Sequence, residues 1–176
     1  MFRNWSASRV VVTGVLAGVI AVLTLVVRVP IAPTRGYIHL GDVGVYFAAF
    51  AFGPVIGLLA GGLGTALADI LGGYAHWAPA SFLFHGAQGL VAGYLAFKGT
   101  RGLHLLGWLA GAVIVVLGYF AVGAVLYGAG PALTEVPMNV IQVVAGGVIG
   151  LPLAMAIRRA WPPVQRLAEP TRWQER

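Results

Sequence analysis

Glu135, Asn139 and Gln142 fall at i, i+4 and i+7, and Ser81, His85 and Gln88 repeat that spacing. Residues spaced this way share one face of a helix. A carboxylate, two amides, an imidazole and a hydroxyl are groups that orient a small polar ligand by hydrogen bonds. Between the two faces in function, and ahead of both in sequence, the stretch Gly36-Tyr37-Ile38-His39-Leu40-Gly41-Asp42 is followed by Asp69 and by Gly72-Gly73-Tyr74-Ala75-His76-Trp77-Ala78-Pro79. Tyr37, Tyr74 and Trp77 supply rings that stack on a planar ligand. Covalent chemistry has little to work with: no cysteine is present, no Gly-rich phosphate loop ends in Lys-Ser/Thr, and no Ser-His pair sits in a nucleophile elbow. His39, His76 and His85 lack an HxH or HxxxH spacing, so neither a metal site nor a cofactor is expected.

The elements that must position these groups are membrane helices. Of 176 residues 59% are hydrophobic and only 9% charged, with mean hydropathy +0.88, far from the roughly 25% charge of a soluble domain. Residues 10–27, 43–68, 105–134 and 136–157 carry no formal charge. A crossing needs about 20 apolar residues. The pattern predicts one all-α transmembrane domain over 1–176, with helices over 8–28, 42–52, 54–71, 79–97, 104–127 and 135–160. Gly53-Pro54 divides the second from the third, because proline lacks a donor and restricts the residue before it. Pro162-Pro163 ends the sixth, leaving a polar tail over 161–176. Arg3 and Arg9 precede an apolar run longer than a signal-peptide core, which reads as a retained first helix.

Six spans put both termini and the 2–3 and 4–5 loops on one side. That side holds Arg3, Arg9, Lys98, Arg101, Arg158, Arg159, Arg166, Arg172 and Arg176, against Arg28 and Arg35 opposite. The imbalance predicts cytoplasmic termini and accounts for the net charge of +6 without nucleic acid. The loops 29–41, 72–78 and 128–134 then lie outside, where Asp42, Asp69 and Glu135 converge.

Each feature has a structural alternative. Both polar faces serve equally as interhelical hydrogen-bond glue. Asp42 can cap a helix. Asp69, near a helix C-terminus where the dipole disfavours an anion, needs a partner such as Arg28, Arg35 or His76. Tyr37, Tyr74 and Trp77 suit a membrane-interface belt as well as a lid. On the first helix, Gly14 and Gly18, with Ala17 and Ala21, are small residues at four-residue spacing; they suit either docking of a partner or internal packing.

Taken together, Gly-Tyr-Ile-His-Leu-Gly-Asp, Phe-Gly-Pro, Gly-Gly-Leu-Gly-Thr-Ala-Leu-Ala-Asp, Gly-Tyr-Ala-His-Trp-Ala-Pro and His-Gly-Ala-Gln-Gly resemble the substrate-binding S component of energy-coupling factor (ECF) vitamin transporters. The likeness is to the riboflavin, hydroxymethylpyrimidine and pyridoxine branch, and is specific over about 36–94. It implies partners: a transmembrane T component, which docks on the small-residue pattern of the first helix, and two ATPases. One departure stands out. Related sequences often carry Lys-Gly-x-Glu-Gly where this chain has His85 and Gln88; if that pair reads the ligand in relatives, their substrate does not carry over to this chain.

The expectation is capture of a small vitamin or precursor at the outer face of a prokaryotic cell membrane by a multi-pass protein in contact with lipid. The expected binding residues are Tyr37, His39, Asp42, Asp69, Tyr74, His76, Trp77, His85, Gln88, Glu135, Asn139 and Gln142, with no catalytic residue. A self-sufficient carrier or channel is the alternative, and an intramembrane enzyme a more distant one.

Overall fold

The computed structural model describes residues 6–97 and 101–167. Within them lie six main helices: α1 (Ala7–Val26), α2 (Gly41–Phe52), α3 (Pro54–Gly72), α4 (Ala78–Ala96), α5 (Arg101–Tyr127) and α6 (Ala129–Ala160), followed by the single turn α7 (Val164–Leu167). Four of them, α1, α3, α5 and α6, are long and apolar enough to cross a membrane. The short α2 is apolar but has only 12 residues. It is the most enclosed element, with Val45, Ala48, Ala49 and Ala51 fully buried. A helix wrapped by neighbours need not match the bilayer thickness.

The expected helix boundaries hold to within a few residues, with two corrections. The stretch 128–134, expected to be a loop, is helical from Ala129. Gly128, at φ +93, makes the whole turn between α5 and α6. Pro131 does not prevent this, because N–H groups in a first turn have no intrahelical partner to lose. Glu135 therefore sits inside α6 rather than at its start. The loop 29–41 contains a hairpin: β1 (Arg28–Ile31) pairs antiparallel with β2 (Gly36–His39), Arg28 opposite His39 and Ile31 opposite Gly36. A 3-10 turn at Ala32–Thr34 joins the strands, closed by Arg35 in the left-handed region at φ 49. Of the expected basic side, Arg3, Lys98, Arg172 and Arg176 lie outside the described residues, as do the side chains of Arg101 and Arg166.

Glycine sets how closely α3 and α4 approach. A Cβ built on Gly57 would stand 2.8 Å from the Gly89 carbonyl oxygen, and one on Gly61 would stand 2.8 Å from that of His85. Bare backbone at these levels lets the helices touch and gains dispersion contacts that lipid does not supply. This approach fixes the height of His85 relative to α3.

The α2–α3 break has its own support. Pro54 has no N–H, so the carbonyl of Phe50 loses its normal helical partner. Arg158, from the last turn of α6, donates from Nη1 to that oxygen at 3.0 Å. Its guanidinium also lies 5.3 Å from the ring centre of Phe97, and that ring covers Gly53, whose φ of +101 only glycine adopts readily. A charged donor to a buried carbonyl contributes about 1.5–3 kcal/mol. Arg158→Met should therefore lower the melting temperature of the detergent-solubilised protein by several degrees. Arg159→Met, at an exposed position, should leave it within a degree or so. Equal effects of the two would remove the specific role of Arg158.

Candidate functional site

The hairpin closes one end of the bundle through three polar ties. Tyr37 donates its hydroxyl to Asp69 Oδ1 of α3 at 2.5 Å. Thr34 donates to Glu135 Oε1 of α6. The backbone N–H of His39 donates to Gln142 Oε1, also of α6, at 2.9 Å. Aromatic contacts add to these. The Tyr37 ring lies 4.5 Å from that of Tyr74, and the Arg28 guanidinium stands over both, at 5.7 and 5.9 Å. Arg28 also donates to the Gly72 carbonyl at 3.3 Å, at the C-terminal end of α3. Cations are favoured there by the exposed carbonyls.

Beneath the hairpin is a cleft lined by Gly36, Tyr37, His39, Asp69, Trp77, Ser81, Tyr119, Glu135, Asn139 and Gln142, with about 330 Å³ of space when its open mouth is counted. Seven of the expected residues thus line one cleft: Tyr37, His39, Asp69, Trp77, Glu135, Asn139 and Gln142. Asp69, Glu135, Asn139 and Gln142 are all at most 5% exposed, so polar groups and cavity coincide.

The other five lie elsewhere. Asp42, His85 and Gln88 are fully buried behind the cleft. Nδ1 of His85 stands 3.0 Å from both Asp42 Oδ1 and Gln88 Oε1. Two acceptors around one ring nitrogen place the proton there. The rings of His85 and His39 are 5.3 Å apart, and those of His85 and Tyr119 are 5.7 Å apart. The triad therefore supports two residues that do line the cleft. Tyr74 buttresses Tyr37 from the loop, and His76 is exposed beside Trp77, 5.8 Å between ring centres.

Tyr119, Ser81 and Thr34 complete the site. Ser81 was legible on its helix face; Tyr119 and Thr34 were missed. Tyr119 and Ser81 are linked through their hydroxyls at 2.5 Å, and Tyr119 packs on Trp77 at 5.5 Å. The available signal for Tyr119 was a hydroxyl in the middle of the uncharged run 105–134, a placement that needs a buried partner. For Thr34 the signal was only its nearness to Gly36.

Several buried polar atoms of the site make no hydrogen bond within the protein: Trp77 Nε1, His85 Nε2, Glu135 Oε2, Asn139 Nδ2 and Asp69 Oδ2. Such groups cost about 1–3 kcal/mol each when unsatisfied. Donors and acceptors are both represented, which suits a ligand carrying both. Among the described residues no cluster of three or more His, Asp or Glu is arranged to hold a metal ion.

The small residues of α1 divide by face. Ala17 and Ala21 are buried, Ala17 against α3 at Gly64. Gly14 and Gly18 are exposed, and a Cβ on either would meet nothing within 4 Å.

The family described as "ECF-type riboflavin transporter, S component" matches residues 4–159. The chain belongs to this family. A Pyrococcus woesei protein described only as uncharacterized is 39% identical over 147 residues, covering 82% of this chain and 98% of that one. The thiamine precursor transporter HmpT of Lactococcus lactis subsp. cremoris strain MG1363 is 35% identical over 131 residues, 74% of this chain and 75% of HmpT. The resemblance carried by the clustered motifs is borne out. The S-component family consists of transport components rather than enzymes.

His39 couples this site to pH. Its Nδ1 accepts from the backbone N–H of Gly41 at 3.0 Å, the first residue of α2. Protonation of Nδ1 would break that bond. Burial, reinforced by the neighbouring His85 imidazole and opposed by Asp42, pushes the His39 pKa down to about 3. The folded protein thus binds fewer protons here than the unfolded chain between pH ~6.5 and ~3. The His39 contribution to stability is complete above pH ~6.5 and lost as pH falls towards 3. His39→Asn keeps a side-chain acceptor for Gly41 without titrating. Its melting temperature should fall less than the parent's between pH 7 and 4.5; parallel curves would contradict the assignment.

Proposed function

We propose that this protein is the substrate-specific component of an ECF-type importer, taking up a small water-soluble vitamin or vitamin precursor at the external face of a prokaryotic plasma membrane. All six main helices then lie in the bilayer with both termini cytoplasmic, as the arginine distribution favours. The observation that carries the proposal is the cleft under the hairpin, where buried donors and acceptors without protein partners gather beside aromatic rings. A thiamine precursor is the first ligand to test, because HmpT carries that description; pyridoxine and riboflavin follow.

In this reading, Tyr37, Trp77 and Tyr119 flank the ligand ring, and Asp69, Glu135, Asn139 and Gln142 orient its edges. Asp42, His85 and Gln88 hold the floor, and Tyr74 and His76 belong to the rim. Energy comes from a T component and two ATPase subunits. The exposed Gly14–Gly18 face of α1 offers the T component close backbone approach, while Ala17 and Ala21 stand next to it on the packed side.

Native mass spectrometry and calorimetry on the purified protein should find one bound vitamin per chain. Liposomes holding this chain alone should show no net uptake, and adding the T component and ATPases with ATP should restore it. Gly14→Leu with Gly18→Leu should leave binding intact and abolish restored uptake. Uptake by the chain alone would favour a self-sufficient carrier. Turnover of the ligand would favour an enzyme.

A further inference from the structure

Arg28, at the start of β1, makes three contacts that converge at the rim of the cleft. Its Nη1 donates to the Gly72 carbonyl at 3.3 Å. Its guanidinium stands 5.7 Å from the ring centre of Tyr37 and 5.9 Å from that of Tyr74. The two rings lie 4.5 Å apart and belong to different segments, Tyr37 to β2 and Tyr74 to the turn between α3 and α4. A planar cation over both rings ties these segments together. Guanidinium suits the task because it stacks and donates at once. Arg28 itself is exposed, so these contacts bury no charge in the core.

Gly72 makes room for this side chain. A Cβ on Gly72 would stand 2.5 Å from Arg28 Nη1, which would force the guanidinium aside. Gly72 is the last residue of α3, while Gly73, at φ +86, makes the turn. The backbone therefore does not require glycine at 72. Glycine also weakens a helix relative to alanine, so its place in the last turn of α3 is explained by the side chain it admits.

Arg28 reaches the cleft through Tyr37. The Tyr37 hydroxyl donates to Asp69 Oδ1 at 2.5 Å, and Asp69 Oδ2 is buried with no hydrogen bond within the protein. Where Tyr37 sits thus decides where that free oxygen points. A ligand meeting a pre-set oxygen avoids the ordering cost that a loose Tyr37 and Asp69 would add to binding.

We infer that Arg28 is a positioning residue of the binding site: it clamps Tyr37 against Tyr74, and the clamped Tyr37 sets the Asp69 carboxyl group for the ligand. The inference rests on the reading that this cleft holds the transported ligand. It also gives Gly72-Gly73-Tyr74 a single task. The first admits the guanidinium, the second turns the chain, and the third receives the cation.

Calorimetry on the full-length protein in detergent uses hydroxymethyl-aminopyrimidine, pyridoxine and riboflavin as probes and follows whichever binds the parent. Arg28→Met should weaken that probe more than twofold and up to about tenfold, the upper end being the full loss of one cation–π contact and one hydrogen bond. Arg28→Lys, which keeps a cation over the rings, should recover part of the loss. Gly72→Ala should also weaken binding, although a better helix former keeps the melting temperature of the ligand-free protein level. In the Arg28→Met background Gly72→Ala should have no further effect, because both remove the same clamp. Arg28→Met binding within about twofold of the parent, or losses in the two variants that add, would overturn the inference and leave ligand capture standing. So would Gly72→Ala with a lowered melting temperature and unchanged binding. If none of the three probes binds the parent, the capture reading fails and the inference falls with it.

Discussion

Burying Asp42, Asp69 and Glu135 among apolar helices constrains everything built around them. An ionised carboxylate in such surroundings is tolerated only with partners that replace water. Asp42 receives His85, itself shared with Gln88. Asp69 receives Tyr37 and Glu135 receives Thr34, both from the hairpin. The hairpin is therefore held down by the same carboxylates that line the cleft.

The rest of the bundle keeps these partners at the right heights. Close glycine contact between α3 and α4 sets Asp69 against the helix that carries Ser81 and His85. The Gly53-Pro54 break lets α2 stop short inside the bundle, which places Asp42 at its buried first turn. Arg158 supplies the hydrogen bond that Pro54 cannot. Tyr46 of α2 donates to the Trp108 carbonyl of α5, and Trp108 donates to the Val143 carbonyl of α6, both at 2.9 Å. These ties join the three helices below the cleft.

Much of the architecture is legible in the residues. Proline, glycine and the uncharged runs mark helix ends closely, and the face of Glu135, Asn139 and Gln142 turns inward as a polar face in an apolar bundle must. What escaped depends on contacts between distant parts of the chain. Four-residue strands leave little periodicity, so the hairpin was not visible in 29–41. Gly128 alone suffices as a turn, which lets α6 begin at Ala129 rather than at the expected 135. The face of Ser81, His85 and Gln88 is inward, but its lower two residues meet Asp42 rather than the cleft, a distinction set by helix height. Arg158 looked like a topology signal because nothing local connects it to Phe50. The family likeness was legible from the motifs between 36 and 94, where backbone turns and polar partners are packed most densely.

The direct measurement is the emission of Trp77, whose ring lines the cleft and whose Nε1 makes no hydrogen bond within the protein. Titrating hydroxymethyl-aminopyrimidine into the purified protein should change tryptophan emission saturably, and Trp77→Phe should abolish the change although four tryptophans remain. A saturable change that survives in Trp77→Phe would place the ligand away from this cleft and contradict its role as the binding site.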